Sequence, residues 1–265
     1  MQEKALDPTV MKGVGRRVFR RSFFLETLWN YDKMQNLGFV LCIFPALERL
    51  YPDEQARKEA VSRHLEQVNT HPAMGPLLVG LVARLERDLE SSTVLPYRRR
   101  IMSALAAHGD RLFWTHLKPL AAVWGVLLTV CAFGSVIGSV ALLAVYNVPQ
   151  LLVRARGFDR GWKEGLRILE VLTSSGINAV ILGIRALLAL ALGIAAGLLV
   201  LKGAGAPSAS PSAILPALLA VGLLLITSAG LFALRSRFSF AAFVYLAALV
   251  AISIFLLFDT GIAPL

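Results

Sequence analysis

The 265 residues are 56% hydrophobic and 17% charged, with a formal net charge of +10. Soluble domains run at about 45–50% apolar and roughly 25% charged, so this composition excludes an ordinary water-soluble globule. In so apolar a chain the basic surplus fits anionic headgroups and cytoplasmic loops rather than nucleic acid.

Charge is concentrated early: 18 of the 27 basic and 13 of the 17 acidic residues precede residue 120. The chain therefore reads as a charged helical region, 1–118, cytoplasmic or membrane-interfacial with short buried apolar helices, followed by a membrane domain, 119–265. MQEKALDPTVMKG at the start lacks the apolar core of a signal peptide. In RRVFRRSFFLETLWNYDKMQNL (16–37), Arg16, Arg17, Arg20 and Arg21 recur at helical spacing opposite Val18, Phe19, Phe23 and Leu25. Such a basic amphipathic helix suits a membrane interface, and a core-facing helix is the alternative. LGFVLCIFPALERLY (37–51) is too short to span a bilayer and is interrupted by Pro45. PDEQARKEAVSRHLEQVN (52–69) is a polar helix with Pro52 suited to its first turn. THPAMGPLLVGLVARLERDLE (70–90) holds a second short apolar run after Pro72, Gly75 and Pro76.

Residues 120–146 form a long uncharged run with basic flanks on both sides: Arg111 and Lys118 before, Arg154 and Arg156 after. Gly134 and Gly138 near its middle favour a re-entrant hairpin over a plain span. Stretches 177–201, 213–234 and 240–258 have the length of transmembrane helices. The basic segments 147–176 and 235–239 place those regions in the cytoplasm, with 203–212 and the C-terminus outside. Arg185 is the one charge inside a span, either snorkelling or functional. Cys42 and Cys131 sit in apolar runs and read as buried thiols.

Nucleotide-binding, nucleophile-elbow and zinc motifs are missing. The four histidines lack a completing ligand set, so no metal and no cofactor is expected. Glu86, Asp88 and Glu90 alternate as solvated carboxylates of a helix end would.

WNYDKMQNLGF (29–39), FPALERLYPD (44–53), RHLEQVNTHP (63–72) and GDRLFW (109–114), in that order and spacing, resemble the IID component of the mannose/fructose/sorbose class of the bacterial phosphotransferase system. The resemblance covers residues 16–170 well, including YNVPQLLVRARGFDRGWKEGLRIL, and the later spans mainly in hydrophobicity. It implies an all-α integral membrane protein of the bacterial cell membrane. The N-terminal half would hold amphipathic and broken helices, the C-terminal half three to four spans plus the hairpin. It implies pairing with a IIC membrane subunit to translocate a hexose, which cytosolic IIA and IIB components phosphorylate, this subunit itself being no enzyme. One segment departs: the family's Gly- and Pro-rich stretch is SALAAHGDR here, with Gly109 and Asp110 kept. Losing those glycines and prolines predicts helix where relatives have a loop. A non-transporting regulatory or scaffold subunit is the alternative function.

Asn30, Gln35, Asn69, Thr70, His71 and Asp110 are the expected sugar-path residues. Amide and carboxylate groups suit sugar hydroxyls, and Trp29 or Trp114 can stack on a pyranose. Capping of helix ends by Asn69, Thr70 and Asp110 is the competing structural role.

Overall fold

The computed structural model describes residues 11, 13–129, 134–173 and 175–203. The spans expected at 213–234 and 240–258, the 203–212 loop beyond Gly203, the basic pair Arg235 and Arg237, and Cys131 lie outside the described residues. Two compact units divide at Arg185, Met1–Arg185 and Ala186–Leu265. The described residues form helices joined by turns and short loops, with no strand among them and only isolated bridges joining Asn30, Met34 and Val68.

In the first unit, α1 (Val14–Ser22), α2 (Asn36–Leu50), α3 (Glu54–His64), α4 (Gly75–Asp88) and α5 (Ser91–Gly109) precede a π-helical stretch, Asp110–Leu117. Then come α6 (Lys118–Leu128), α7 (Gly134–Glu164), a 3-10 turn and α8 (Ile168–Thr173). The helix α9, Ser175–Gly203, extends into the second unit, where its described part is apolar.

The centre of the first unit is α4. Leu78, Val79, Leu81, Val82 and Ala83 are fully buried, so the helix is covered on every side. Each fully buried aliphatic side chain stabilises by about 1.5–3 kcal/mol. Glycines let α7 approach it closely. A Cβ added at Gly80 would lie 2.8 Å from the Phe158 carbonyl oxygen, and one at Gly161 2.6 Å from the Leu77 carbonyl oxygen. The crossing is therefore backbone against backbone.

Three local expectations change. The basic helix ends at Ser22, and its Val14 and Val18 face the core, so its apolar side is not available to lipid. Pro45 does not break its helix: α2 runs through it to Leu50. Proline lacks the N–H that would bond the carbonyl four residues back. That carbonyl, Leu41, accepts instead from Arg21 Nη1 at 3.3 Å. The Cys42 thiol alongside donates to the Arg21 carbonyl at 3.0 Å, and burial pushes it up to about 12, the state of an inert core thiol. Pro52 lies one residue before the cap of α3; Asp53 is the cap, accepting from Ala56 N at 2.8 Å.

The segment 103–111 is helical, and α5, the π-helical stretch and α6 follow without a break. Helices α6 and α7 pack on each other through Gly125 and Gly138, a Cβ at Gly125 falling 3.0 Å from the Gly138 carbonyl oxygen. The 31 residues of α7 give it a length of about 46 Å. Two helical stretches, Ser135–Glu170 and Gly176–Leu198, are by length and composition long and apolar enough to cross a membrane. Arg185 lies within the second of these.

Candidate functional site

The motifs around residues 30, 70 and 110 pack against one another. Gln35 is buried and its amide is fully used. Oε1 accepts from Thr70 N at 2.8 Å, and Nε2 donates to the Thr70 carbonyl at 2.7 Å and to Glu26 Oε1 at 2.6 Å. Asn30 Nδ2 donates to Asn36 Oδ1 at 2.7 Å, while Asn30 Oδ1 accepts from Lys33 N at 2.9 Å. Asn36 in turn donates to the Leu65 carbonyl at 2.8 Å. These bonds hold Met34 in the left-handed region at φ 57°, a conformation costing about 1–3 kcal/mol for a non-glycine residue. Gln35 and Asn30 therefore act as staples between loop and helix.

Thr70 and His71 are buried just ahead of α4. The His71 ring stacks on Phe113 with centroids 4.9 Å apart and meets Trp114 edge-on at 5.6 Å. Gly109 packs directly on the His71 side chain, leaving no room for a Cβ. The two motifs NTHP and GDRLFW thus form one aromatic cluster. Both rings lie on the π-helical stretch, Phe113 fully buried and Trp114 60% exposed. His71 Nδ1 accepts from Ala73 N at 3.1 Å, which fixes the neutral Nε2–H tautomer. That Nε2 and the Thr70 hydroxyl are buried without a hydrogen-bond partner among the described residues. Neither Asn69, Thr70 nor Asp110 caps a helix by its side chain; Met74 and Gly109 occupy the cap positions. Asn69 and Asp110 are exposed, and Trp29 packs on Tyr31 with centroids 4.8 Å apart.

Burial, with the Arg154 charge, lowers His71 to about 4. A histidine depressed when folded takes up its proton only on unfolding, so stability falls as pH drops through 6.5 toward that value. Each pH unit in this window costs about 1.4 kcal/mol at most. The melting temperature of the solubilised protein therefore falls between pH 7 and pH 5, and His71→Phe flattens the slope. A profile equally steep in that variant excludes His71 as the source.

A second cluster has no counterpart in the sequence reading. Glu86 is 1% exposed, not a solvated helix-end carboxylate. It accepts from Tyr51 Oη at 2.6 Å, from His64 Nε2 at 2.7 Å and from Arg63 Nη2 at 3.1 Å. On the far side of His64, the buried Arg98 Nη1 reaches Nδ1 at 3.3 Å and the His64 carbonyl at 3.2 Å. Arginine only donates, so Nδ1 carries the lone pair and the Nε2 proton points to Glu86. Burial lowers His64 in the same sense, against the pull of Glu86. Burial alone raises Glu86, but the His64 and Tyr51 hydrogen bonds and the Arg63 charge outweigh it and hold the carboxyl below its usual range. The RHLE motif supplies Arg63 and His64; only their partners were illegible.

A family profile described as the PTS system mannose/fructose/sorbose family IID component matches residues 9–201. The mannose-specific EIID component of Escherichia coli K12 is 31% identical over 175 residues, 63% of this chain and 60% of that protein. The fructose permease IID component of Bacillus subtilis 168 is 28% identical over 167 residues, 61% of this chain and 60% of its own length. The matched part thus spans about 60% of these relatives. A solved structure described as a membrane protein aligns over 92% of this chain and 96% of its own, at TM-score 0.65 and 26% identity. A chain from a complex of the mannose transporter ManYZ with a microcin aligns over 96% of this chain and 98% of its own, at TM-score 0.54 and 24% identity, a likeness of fold. With the profile covering most of its length, the chain belongs to the IID component family of the mannose/fructose/sorbose phosphotransferase systems.

Proposed function

We propose that this chain is a multi-pass subunit of the bacterial cell membrane that pairs with a IIC subunit to conduct a hexose, which IIA and IIB partners phosphorylate. Helix α9 is its first described span. The α6–α7 pair acts as a re-entrant hairpin entering and leaving on the basic, cytoplasmic side. Eleven residues of α6 reach about 17 Å inward. Most apolar side chains on the first half of α7, among them Val136, Ile137, Val140 and Leu143, are exposed. A hairpin at that depth requires protein around it, which a IIC partner supplies.

The observation carrying the sugar-path reading is the exposed Trp114 ring, held edge-on against the buried His71. An exposed aromatic face suits a pyranose, with Asn69 and Asp110 as exposed polar side chains on the same two motifs. Reconstitution with IIC, IIA and IIB, followed by phosphoenolpyruvate-dependent hexose uptake, tests it. Trp114→Ala and Asp110→Ala lower uptake at least about tenfold, the equivalent of 1.4 kcal/mol, while co-purification with IIC is unchanged. Normal uptake in both variants removes these residues from the path. The regulatory or scaffold reading draws on the continuous helix at 103–111; wild-type assemblies that form but never transport would favour it.

A further inference from the structure

Three contacts set the height of α1 along α7. The Trp162 ring packs on Gly15, 3.2 Å from where a Cβ would stand. The Phe19 and Phe158 ring centroids are 5.1 Å apart, and the Arg154 guanidinium lies 5.5 Å from the Phe23 ring centroid. Each step moves four residues forward on α1 and four back on α7, so the helices run antiparallel, about one turn per step. Along α7, the exposed apolar side chains end at Leu151 and Leu152; Arg154, Arg156, Arg160 and Lys163 follow. Helix α1 and its C-cap Phe23 therefore end level with the point where α7 changes from apolar to basic.

Below that level α1 carries four arginines and no acid. Arg16, Arg17 and Arg20 are exposed, as is Arg156 on α7, and none makes a hydrogen bond or ion pair with another described residue. Arg160 and Lys163, by contrast, are answered by Glu164 and Asp159. Just beyond Phe23 the chain exposes Phe24 at 56%, Leu28, Trp29 and Tyr31 at 90%. A basic row capped by an aromatic rim, at the height where a membrane-entering helix leaves its apolar stretch, matches the two layers of a membrane interface. The apolar face of α1 is spent on the core, so the arginines rather than that face meet the bilayer.

We infer that Arg16, Arg17, Arg20 and Arg156, with the rim at Phe24, Leu28, Trp29 and Tyr31, form a binding site for anionic phospholipid headgroups. Charge selects the occupant: four unanswered guanidinium groups favour phosphate-rich, net-negative headgroups over zwitterionic ones. The site rests on the membrane reading above. A chain that retains neither lipid class would fail that reading, whereas loss of headgroup selectivity fails only the site.

The full-length chain is purified in mild detergent and titrated with phosphatidylglycerol or phosphatidylcholine, bound lipid being counted by native mass spectrometry. The wild type retains phosphatidylglycerol preferentially, and salt weakens that preference. The triple variant R16Q/R17Q/R20Q loses about fivefold per arginine, on the order of a hundredfold in all, with phosphatidylcholine retention unchanged. Equal retention of both lipids by the wild type, or undiminished phosphatidylglycerol retention by the variant, overturns the site. Loss of a co-purifying partner subunit with lipid retention intact also overturns it, assigning the row to protein. The melting transition controls for folding; should the variant not fold, salt-insensitive selectivity in the wild type is the overturning result.

Discussion

Glu86→Ala destabilises the protein by about 3–5 kcal/mol, the range for breaking a buried ion pair from one side. The carboxylate is the acceptor shared by Tyr51, His64 and Arg63, all within 3.2 Å. Its removal leaves the Tyr51 hydroxyl and the His64 Nε2 proton without that acceptor. It also leaves the fully buried Arg98 with one acidic neighbour, Glu66, 3.8 Å from Nη2. Burial lowers Arg98 to about 10, which still keeps it charged at neutral pH. The loss is therefore that of three hydrogen bonds, one of them the ion pair with Arg63, together with weaker compensation of the Arg98 charge. Thermal melting of the solubilised protein measures it, and Arg98→Met added to Glu86→Ala should restore part of the transition. A single variant melting as the wild type does, or a double variant no better than the single, would sink this account.

That network also marks where sequence reasoning stopped. The ordered motifs identified the family, and with it an all-helical chain, because their order and spacing are properties of the sequence taken along its length. Glu86 was misread because its alternation with Asp88 and Glu90 has the period of a solvated end. Its burial is decided by Tyr51 and His64, 35 and 22 residues away. Arg98 was hidden in the same way inside a run of three arginines, of which Arg99 pairs with Glu66 at the surface and Arg98 turns inward. Within the candidate site, residue type suggested that Gln35 and Asn30 were free amides. Their hydrogen bonds go to Thr70 and Asn36, which no local pattern reveals. The π turn that carries Phe113 and Trp114 is likewise a backbone feature without a residue signature.

Gly161→Ala, a single added methyl group, is expected to cost about 3 kcal/mol, the upper end of overpacking. A Cβ there would meet the Leu77 carbonyl oxygen at 2.6 Å and Leu81 N at 2.9 Å, both backbone atoms of α4. No rotamer change relieves such a clash; α4 and α7 must separate. Gly157, one turn away, faces the Leu77 side chain with its nearest atom at 3.2 Å, so Gly157→Ala is accommodated by a few tenths of an ångström. Gly183 has nothing within 4 Å, and Gly183→Ala changes stability only by helix propensity, up to about 1 kcal/mol in favour of alanine. The order of melting temperatures is then Gly183→Ala, Gly157→Ala, Gly161→Ala from highest to lowest. Separation of α4 from α7 also moves the two ends of α4 that matter most. His71 and its ring partners precede its first turn, and Glu86 sits in its last. Gly161→Ala should therefore reduce hexose uptake together with stability, whereas Trp114→Ala reduces uptake alone. If Gly161→Ala melts like Gly183→Ala, the backbone-to-backbone crossing is not what joins these helices.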